Sequence, residues 1–335
     1  MEPRTWLRAV AVIPRLDADG WARLDPVARW LVAVRAAVLV MTVTAAVLAG
    51  LLSLRDGRFD GLRFGLVLVG LVFAHATNNL VNDLTDHLQG IDRGDSFRAR
   101  YGPQPLEHGL LTVRGMLRYI AVTGGVALGC GAALLVLRGG ATAWLFGVGI
   151  VLVLAYTWPL KHLGLGEPAV LVVWGPLMVG GGYYVIADAL PVGVVLASLP
   201  FSMCATSVLF GKHIDKLDQD RRKGVRTLPV ILGEARARAV ARALVVLPYL
   251  LVAACVWRGD LGAPVLVVVA AAPVAARVLP PFRSPRPAAA PPWLPRGVWP
   301  LYFVALAFHH MRWFGGLFVL GVLADVMVRS VVGGA

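Results

Sequence analysis

The chain has 335 residues, of which 58% are hydrophobic and only 15% charged, with a formal net charge of +13. A soluble domain is ~45–50% apolar and about 25% charged, so both departures point to a lipid-embedded protein. Disorder and a disulfide scaffold are excluded too. Cys130, Cys204 and Cys255 stand far apart in apolar runs without metal-ligand spacing and read as small buried hydrophobes.

A helix needs about 20 mostly apolar residues to cross a bilayer. Residues 1–27 mix apolar and charged side chains (Trp6, Arg8, Arg15, Asp17, Asp19) and show no secretory h-region with a small-residue cleavage site. They are expected to form a cytoplasmic, interfacial lead-in. Apolar runs follow at 28–54, 62–86, 116–137, 141–159, 168–189, 192–212, 236–258, 263–282 and 300–328. The pattern predicts an all-α polytopic membrane protein of about nine transmembrane helices, residues 28–330 forming a single domain.

The positive charge has a topological reading. With a cytoplasmic N-terminus, most Lys and Arg fall on inner segments: the lead-in, the 93–118 loop, Lys161, 212–242 and 277–296. Arg55, Arg58, Arg63, Arg138, Arg258 and Arg329 fall outside, as the positive-inside rule expects. No groove-reading or base-stacking element accompanies the charge, so membrane lipid is the expected partner and nucleic acid is not.

Two acidic clusters close even-numbered spans on the same side. The second span ends in Asn78-Asn79-Leu80-Val81-Asn82-Asp83-Leu84-Thr85-Asp86-His87. There Asn79, Asp83 and Asp86 share a helical face, and Asn82 neighbours Asp86. The sixth span ends in Gly211-Lys212-His213-Ile214-Asp215-Lys216-Leu217-Asp218-Gln219-Asp220-Arg221-Arg222-Lys223. Carboxylates at a membrane boundary are expensive unless paired, wet or metal-bound. Their hard oxygens suit Mg²⁺, which bridges carboxylates to substrate phosphates, and the neighbouring cations suit the same phosphates. Solvated helix caps are the alternative reading.

NDLTDHLQGID (82–92) resembles the first aspartate-rich motif of the UbiA-type intramembrane prenyltransferases. DQDRRKGVRTLPVILG (218–233) resembles the segment around and after their second motif. AYTWPLKHLGLGEPAVLVVWGPLMVGGGYYV (155–185) resembles the fourth-to-fifth-helix stretch of the 1,4-dihydroxy-2-naphthoate polyprenyltransferase branch. The likeness covers about residues 29–330. It implies helices around a central cavity, capped by cytoplasmic loops, with Mg²⁺ and a prenyl diphosphate held by the two aspartate motifs. The implied ligands are Asn79, Asn82, Asp83, Asp86, Asp215, Asp218 and Asp220, with Asp83, Asp86, Asp215 and Asp220 carrying the catalysis. Arg35, Lys161, Lys212, Arg93 and Arg221 are the implied diphosphate contacts. The chain departs from the family pattern at Gly90, followed by Asp92, and at Lys216, where the usual second motif has an aspartate. Asp215 is expected to replace that carboxylate.

Other residues carry alternatives. Glu167 is expected to orient an acceptor or to pair with Lys161 or His162. Arg93, Arg98, Arg100 and Tyr101 sit on a loop suited to fold over a diphosphate. Trp174, Tyr183 and Tyr184 either pack or face the cavity, where aromatic rings stabilise cations. His309, His310 and Arg312 have metal-like spacing without a nearby carboxylate. The expected reaction is Mg²⁺-dependent transfer of an isoprenoid to an aromatic, quinone-precursor-like acceptor, in the plasma membrane with the site opening to the cytoplasm. A membrane terpene cyclase and a transporter are the rival readings. A transporter would place its charges near the bilayer midplane.

Overall fold

A computed structural model of the chain describes residues 3–91 and 97–332, and all of its regular elements are helical. The N-terminal segment folds into α1 (Pro3–Ala11) and α2 (Ala18–Ala22), followed by α3 (Pro26–Ala33). Asp17 and Asp25 cap α2 and α3 by accepting the backbone N–H of Gly20 and Ala28. Trp6 Nε1 donates to Asp25 at 2.9 Å, which ties α1 to the start of α3.

The first expected span is interrupted. Between α3 and α4 (Val40–Arg55) the chain turns through Arg35, a non-glycine residue in the left-handed region with φ 56°. That conformation costs about 1–3 kcal/mol and persists only where the surroundings hold it. Next come α5 (Gly61–Leu88), capped by Asp60, and α6 (Val113–Arg138), capped by Thr112. After α7 (Thr142–Ala155), α8 (Gly166–Val172) runs into a π-helical stretch, Val173–Gly181, and then α9 (Gly182–Ala187). Pro176 lies within the wide turns, where its missing N–H cannot serve a regular α-helix.

The longest buried element is α10 (Val192–Asp215). It is followed by the short α11 (Leu217–Arg222) and α12 (Leu228–Leu232), and then by α13 (Glu234–Trp257). A 3₁₀ stretch, Ala263–Ala271, leads into α14 (Ala272–Val278), and α15 (Phe303–Val332) ends the described chain. Among the described residues, seven helices are long and apolar enough to span a membrane, counting Ala36–Arg55 and Gly166–Ala187 each as one. Thr142–Ala155 and Ala263–Val278 are shorter. Fourteen residues of α-helix in α7 rise only about 21 Å, against roughly 30 Å of hydrocarbon. The chain is thus an integral membrane protein, but the expected nine full spans are not all reached.

The core lies around α10, which packs against α13, α15 and the α8–α9 segment and buries Phe201, Tyr183, Phe314 and Phe318. Gly211 is needed there: a Cβ would come within 2.7 Å of the Phe303 backbone at the start of α15. The outer face of α6 exposes Val122, Leu128 and Val136, as a lipid-facing helix does. At one end of the bundle the connecting segments interlock. Phe97 N–H donates to Gln219 Oε1 at 2.7 Å, Lys223 reaches the Ile91 carbonyl, and Arg15 donates to the Gly297 carbonyl at 3.0 Å. The carboxylate-rich ends of α5 and α10–α11 therefore meet.

This arrangement fixes a topology. With the native cysteines replaced by serine, Leu88→Cys and Arg221→Cys should react with a membrane-impermeant thiol reagent from one side of sealed vesicles. Arg258→Cys should react only from the other. Labelling of 88 and 221 from opposite sides would contradict the shared end.

Candidate active site

The face predicted on α5 forms and is buried: Asn79, Asp83 and Asp86 are 7%, 5% and 6% exposed. Asp83 receives two guanidinium groups. Arg98 binds it through both nitrogens at 2.8 Å, and Arg35 Nη2 donates to Oδ1 at 2.8 Å. Arg35 can reach because the chain breaks there. Its Nη2 also donates to the Asn79 carbonyl at 2.8 Å, while Asn79 Nδ2 donates to the Val34 carbonyl at 2.9 Å. Charge-assisted, bidentate contacts are the strong class of hydrogen bond. Removing one partner of such a buried set costs about 3–5 kcal/mol.

One turn further on, Lys161 Nζ donates to both Asp86 oxygens, at 3.0 and 3.1 Å. Asn82 Nδ2 donates to Asp86 Oδ2 at 3.2 Å and is itself held by Thr157 Oγ1 at 3.2 Å. Lys161 sits in the 3₁₀ turn Leu160–Leu163. Burial pushes its ammonium below the usual lysine value, Lys216 adds to that, and Asp86 opposes it.

The second motif divides. α10 stops at Asp215, and Lys216 (φ −114°) interrupts the helix before α11 begins. Asp215 is turned to the start of α15, where it accepts the backbone N–H of Tyr302, Phe303 and Val304 at 2.9–3.0 Å, with Arg286 Nε at 3.4 Å. It thus satisfies orphan donors and sits at the positive end of a helix dipole. Asp220 is buried, and its Oδ1 takes Lys216 Nζ at 2.8 Å while Oδ2 has no hydrogen-bond partner among the described residues. Burial disfavours the Lys216 ammonium, but Asp220 outweighs that and holds it above the usual lysine value. Asp218 and Arg221 are 82% and 58% exposed and only 3.8 Å apart.

The structure therefore brings Asp83, Asp86, Asn79, Asn82, Asp220, Arg35 and Lys161 to one end of the bundle. Asp215, Asp218 and Arg221 lie at the same end but outside this cluster of contacts, Asp215 on the start of α15 and the other two at the surface. Asp215, expected to replace the carboxylate missing at Lys216, is turned away by the break at that residue. Arg93, like Asp92, lies outside the described residues. Lys212 has no carboxylate within ion-pair distance among the described residues, and it lines the cavity beneath this end.

That cavity has a volume of about 1640 Å³, larger than the roughly 300–1,000 Å³ of ordinary ligand pockets. Its polar end carries Arg35, Asn79, Asn82, Tyr101, Tyr156 and Lys212. Its walls are apolar, among them Leu66, Phe146, Ile150, Leu177 and Met178. The π-helical stretch supplies Trp174 to the lining, and no Asp or Glu lines the cavity among the described residues. Tyr183 and Tyr184 do not line it: Tyr183 donates to Asp56 at 2.7 Å, and Tyr184 accepts from Ala141 N at 3.2 Å.

Three groups gain roles that their sequence context did not single out. Glu167 pairs with neither Lys161 nor His162. It meets His213 Nδ1 at 2.5 Å and the Leu228 N–H at 3.3 Å, joining the start of α8 to α10 and α12. His75 bonds Thr42 at 2.7 Å and sets its ring edge-on to Trp174, with centroids 5.3 Å apart. Its signal was present, since it lies four residues before Asn79 on the same helical face. Arg98, one of several loop arginines by sequence, is a direct partner of Asp83.

Comparison with known proteins agrees with this architecture. A model of the UbiA prenyltransferase family matches residues 38–294. A 1,4-dihydroxy-2-naphthoate octaprenyltransferase of Escherichia coli (strain K12) is 32% identical over 221 residues, 62% of this chain and 70% of that protein. A digeranylgeranylglyceryl phosphate synthase of Natronomonas pharaonis is 30% identical over 193 residues, 55% of this chain and 65% of that one. The apo structure of a UbiA homolog from Aeropyrum pernix K1 superimposes with a TM-score of 0.62 at 18% identity. It covers 88% of this chain and 98% of that one, a likeness of fold.

The two buried second-motif aspartates should separate by experiment. Asp215→Asn should lower the melting temperature of the solubilised protein, since it weakens the hold on α15, by about 1–2 kcal/mol if it acts as a cap does. It should keep the thermal shift that Mg²⁺ and geranyl diphosphate produce on binding. Asp220→Asn should lose that ligand-induced shift. The reverse pattern would return Asp215 to the site.

Proposed function

This chain belongs to the UbiA prenyltransferase family, and we propose that it transfers an isoprenoid chain from its diphosphate to an electron-rich aromatic acceptor within the membrane. One observation carries the reading: an end rich in paired carboxylates and cations adjoins a large apolar cavity, lined at that end by Arg35 and by Lys212, which has no carboxylate within ion-pair distance among the described residues. A prenyl diphosphate has the same division, a charged head and a long apolar tail. The naphthoate named for the Escherichia coli relative supports a quinone-precursor-like acceptor.

Mg²⁺ fits the residues present. The donors are hard oxygens, and Asp220 Oδ2 is buried with no hydrogen-bond partner among the described residues. Mg²⁺ is commonly held by one or two carboxylates together with substrate phosphates. One or two of Asp83, Asp86 and Asp220 would hold it, and it would supply positive charge against the leaving diphosphate. Lys212 and Arg35 line the cavity where the diphosphate head would sit and stabilise the charge growing on it. Lys161 and Arg98 set the orientation of Asp86 and Asp83.

The C1–O bond of the substrate breaks with its electron pair leaving on the diphosphate. The allylic cation is then shielded from water by the apolar walls, with Trp174 and Tyr156 among the lining rings. A ring carbon of the acceptor forms the new C–C bond, and the proton on that carbon passes to the released diphosphate as the ring regains its aromaticity. The charged end is assigned to the cytoplasmic face of the plasma membrane, in keeping with the positive-inside pattern.

Purified protein supplied with Mg²⁺, prenyl diphosphates of graded length and hydroxylated aromatic acids should release diphosphate and yield a prenylated aromatic. Asp83→Ala and Asp86→Ala should each lower turnover by at least about 100-fold while still inserting in the membrane. Lys212→Met should raise KM for the diphosphate about tenfold, in line with loss of one charge-assisted contact. Near-normal turnover in both aspartate variants would overturn the assignment of the charged end.

A further inference from the structure

The same cavity holds a second basic patch, far from the paired carboxylates. His309, Arg312 and Trp313 line it from α15, and all three side chains are exposed rather than packed away. Arg312 lies nine residues into α15, which begins at Phe303, so its Cα sits about 14 Å along the helix from the charged end. A guanidinium at such a depth in an apolar span is costly and calls for a partner. Arg35, the other arginine deep in an apolar run, has Asp83. Arg312 has no carboxylate within ion-pair distance among the described residues, and its recorded contact is the Phe308 ring at 6.0 Å, a weak cation–π distance. With no Asp or Glu lining the cavity among the described residues, an anion for Arg312 has to arrive with a ligand.

We propose that His309 and Arg312, flanked by Phe308 and Trp313, form an anion-binding subsite that takes the acid group of the prenyl acceptor. This deepens the prenyl-transfer reading and rests on it: the acceptor is an aromatic acid. Its carboxylate meets the planar guanidinium, which binds two oxygens side by side, and its ring lies among the aromatic side chains of α15. A lipid phosphate offers similar chemistry. It belongs at the membrane–water boundary, however, whereas Arg312 lines the cavity about 14 Å along α15 from the charged end. His309 and Arg312, three residues apart, present their side chains on one face of α15. The acceptor's acid is then held apart from the diphosphate, which Arg35 and Lys212 take, so two anions occupy one cavity without competing for the same cations.

The test uses the full chain in phosphatidylcholine nanodiscs, with calorimetric titration of 1-hydroxy-2-naphthoate and of its neutral isostere 1-hydroxy-2-naphthamide. The wild type should bind the acid at least tenfold tighter than the amide. Arg312→Gln should abolish that preference and Arg312→Lys should restore part of it, while geranyl diphosphate binds all three alike and reports that they are folded. An equal affinity for acid and amide in the wild type would overturn the proposal, as would an acid preference that survives in Arg312→Gln. Native mass spectrometry in nanodiscs containing phosphatidylglycerol separates the two sources. Loss of bound phosphatidylglycerol in Arg312→Gln, with the naphthoate preference intact, would assign the residue to lipid and overturn its role toward the acceptor. Failure of the wild type to bind geranyl diphosphate would instead overturn the prenyl-transfer reading, a result distinct from the acid–amide comparison.

Discussion

A buried carboxylate at a membrane boundary is costly unless it is paired, wet or metal-bound, and three such groups meet cations at one end of this molecule. Asp83 is held by Arg35 and Arg98, Asp86 by Lys161, and Asp220 by Lys216. Lys216 comes from the same motif as Asp220, but the other partners come from the break after α3, the loop after α5 and the turn before α8. The ion pairs therefore set where those segments lie as well as neutralising the site. The left-handed backbone at Arg35 belongs to the same arrangement. Its side chain binds Asp83 and the Asn79 carbonyl together, which holds a conformation that would otherwise relax.

Beneath that end the molecule needs empty apolar volume, and the helices provide it by being irregular. The π-helical stretch around Pro176 and the short α7 both line it. Close packing is kept for the opposite side of α10, where Gly211 lets α15 approach backbone to backbone and Asp215 receives the first N–H groups of that helix. Glu167, joined to His213 and to the Leu228 N–H, ties the α8 segment to the same region. The cavity is lined by α10 and α15 together with α5 to α9.

Much of the site was legible because a helix converts spacing into direction. Asn79, Asp83 and Asp86 had to share a face once α5 was continuous, and burial of that face followed from the apolar run leading to it. The second motif was not legible in that way. Asp215, Asp218 and Asp220 lie within six residues, yet one caps α15, one faces the surface and one joins the charged end. A break of one residue at Lys216 decides this, and nothing in the local pattern of charges marks it.

By itself the sequence determined that the chain is a helical membrane protein, where its apolar runs lie and which side its charges favour, because these depend on composition and on neighbours three or four residues apart. It also carried the motifs that resemble the prenyltransferase family. Only the tertiary structure decided which cation meets which carboxylate, that Asp215 serves a helix end, and that Lys212 and Arg312 face one cavity with no acidic partner among the described residues. Those outcomes depend on segments tens to more than a hundred residues apart arriving at the same place. The free energy of a buried charge is set by whichever group arrives there, irrespective of its distance along the chain.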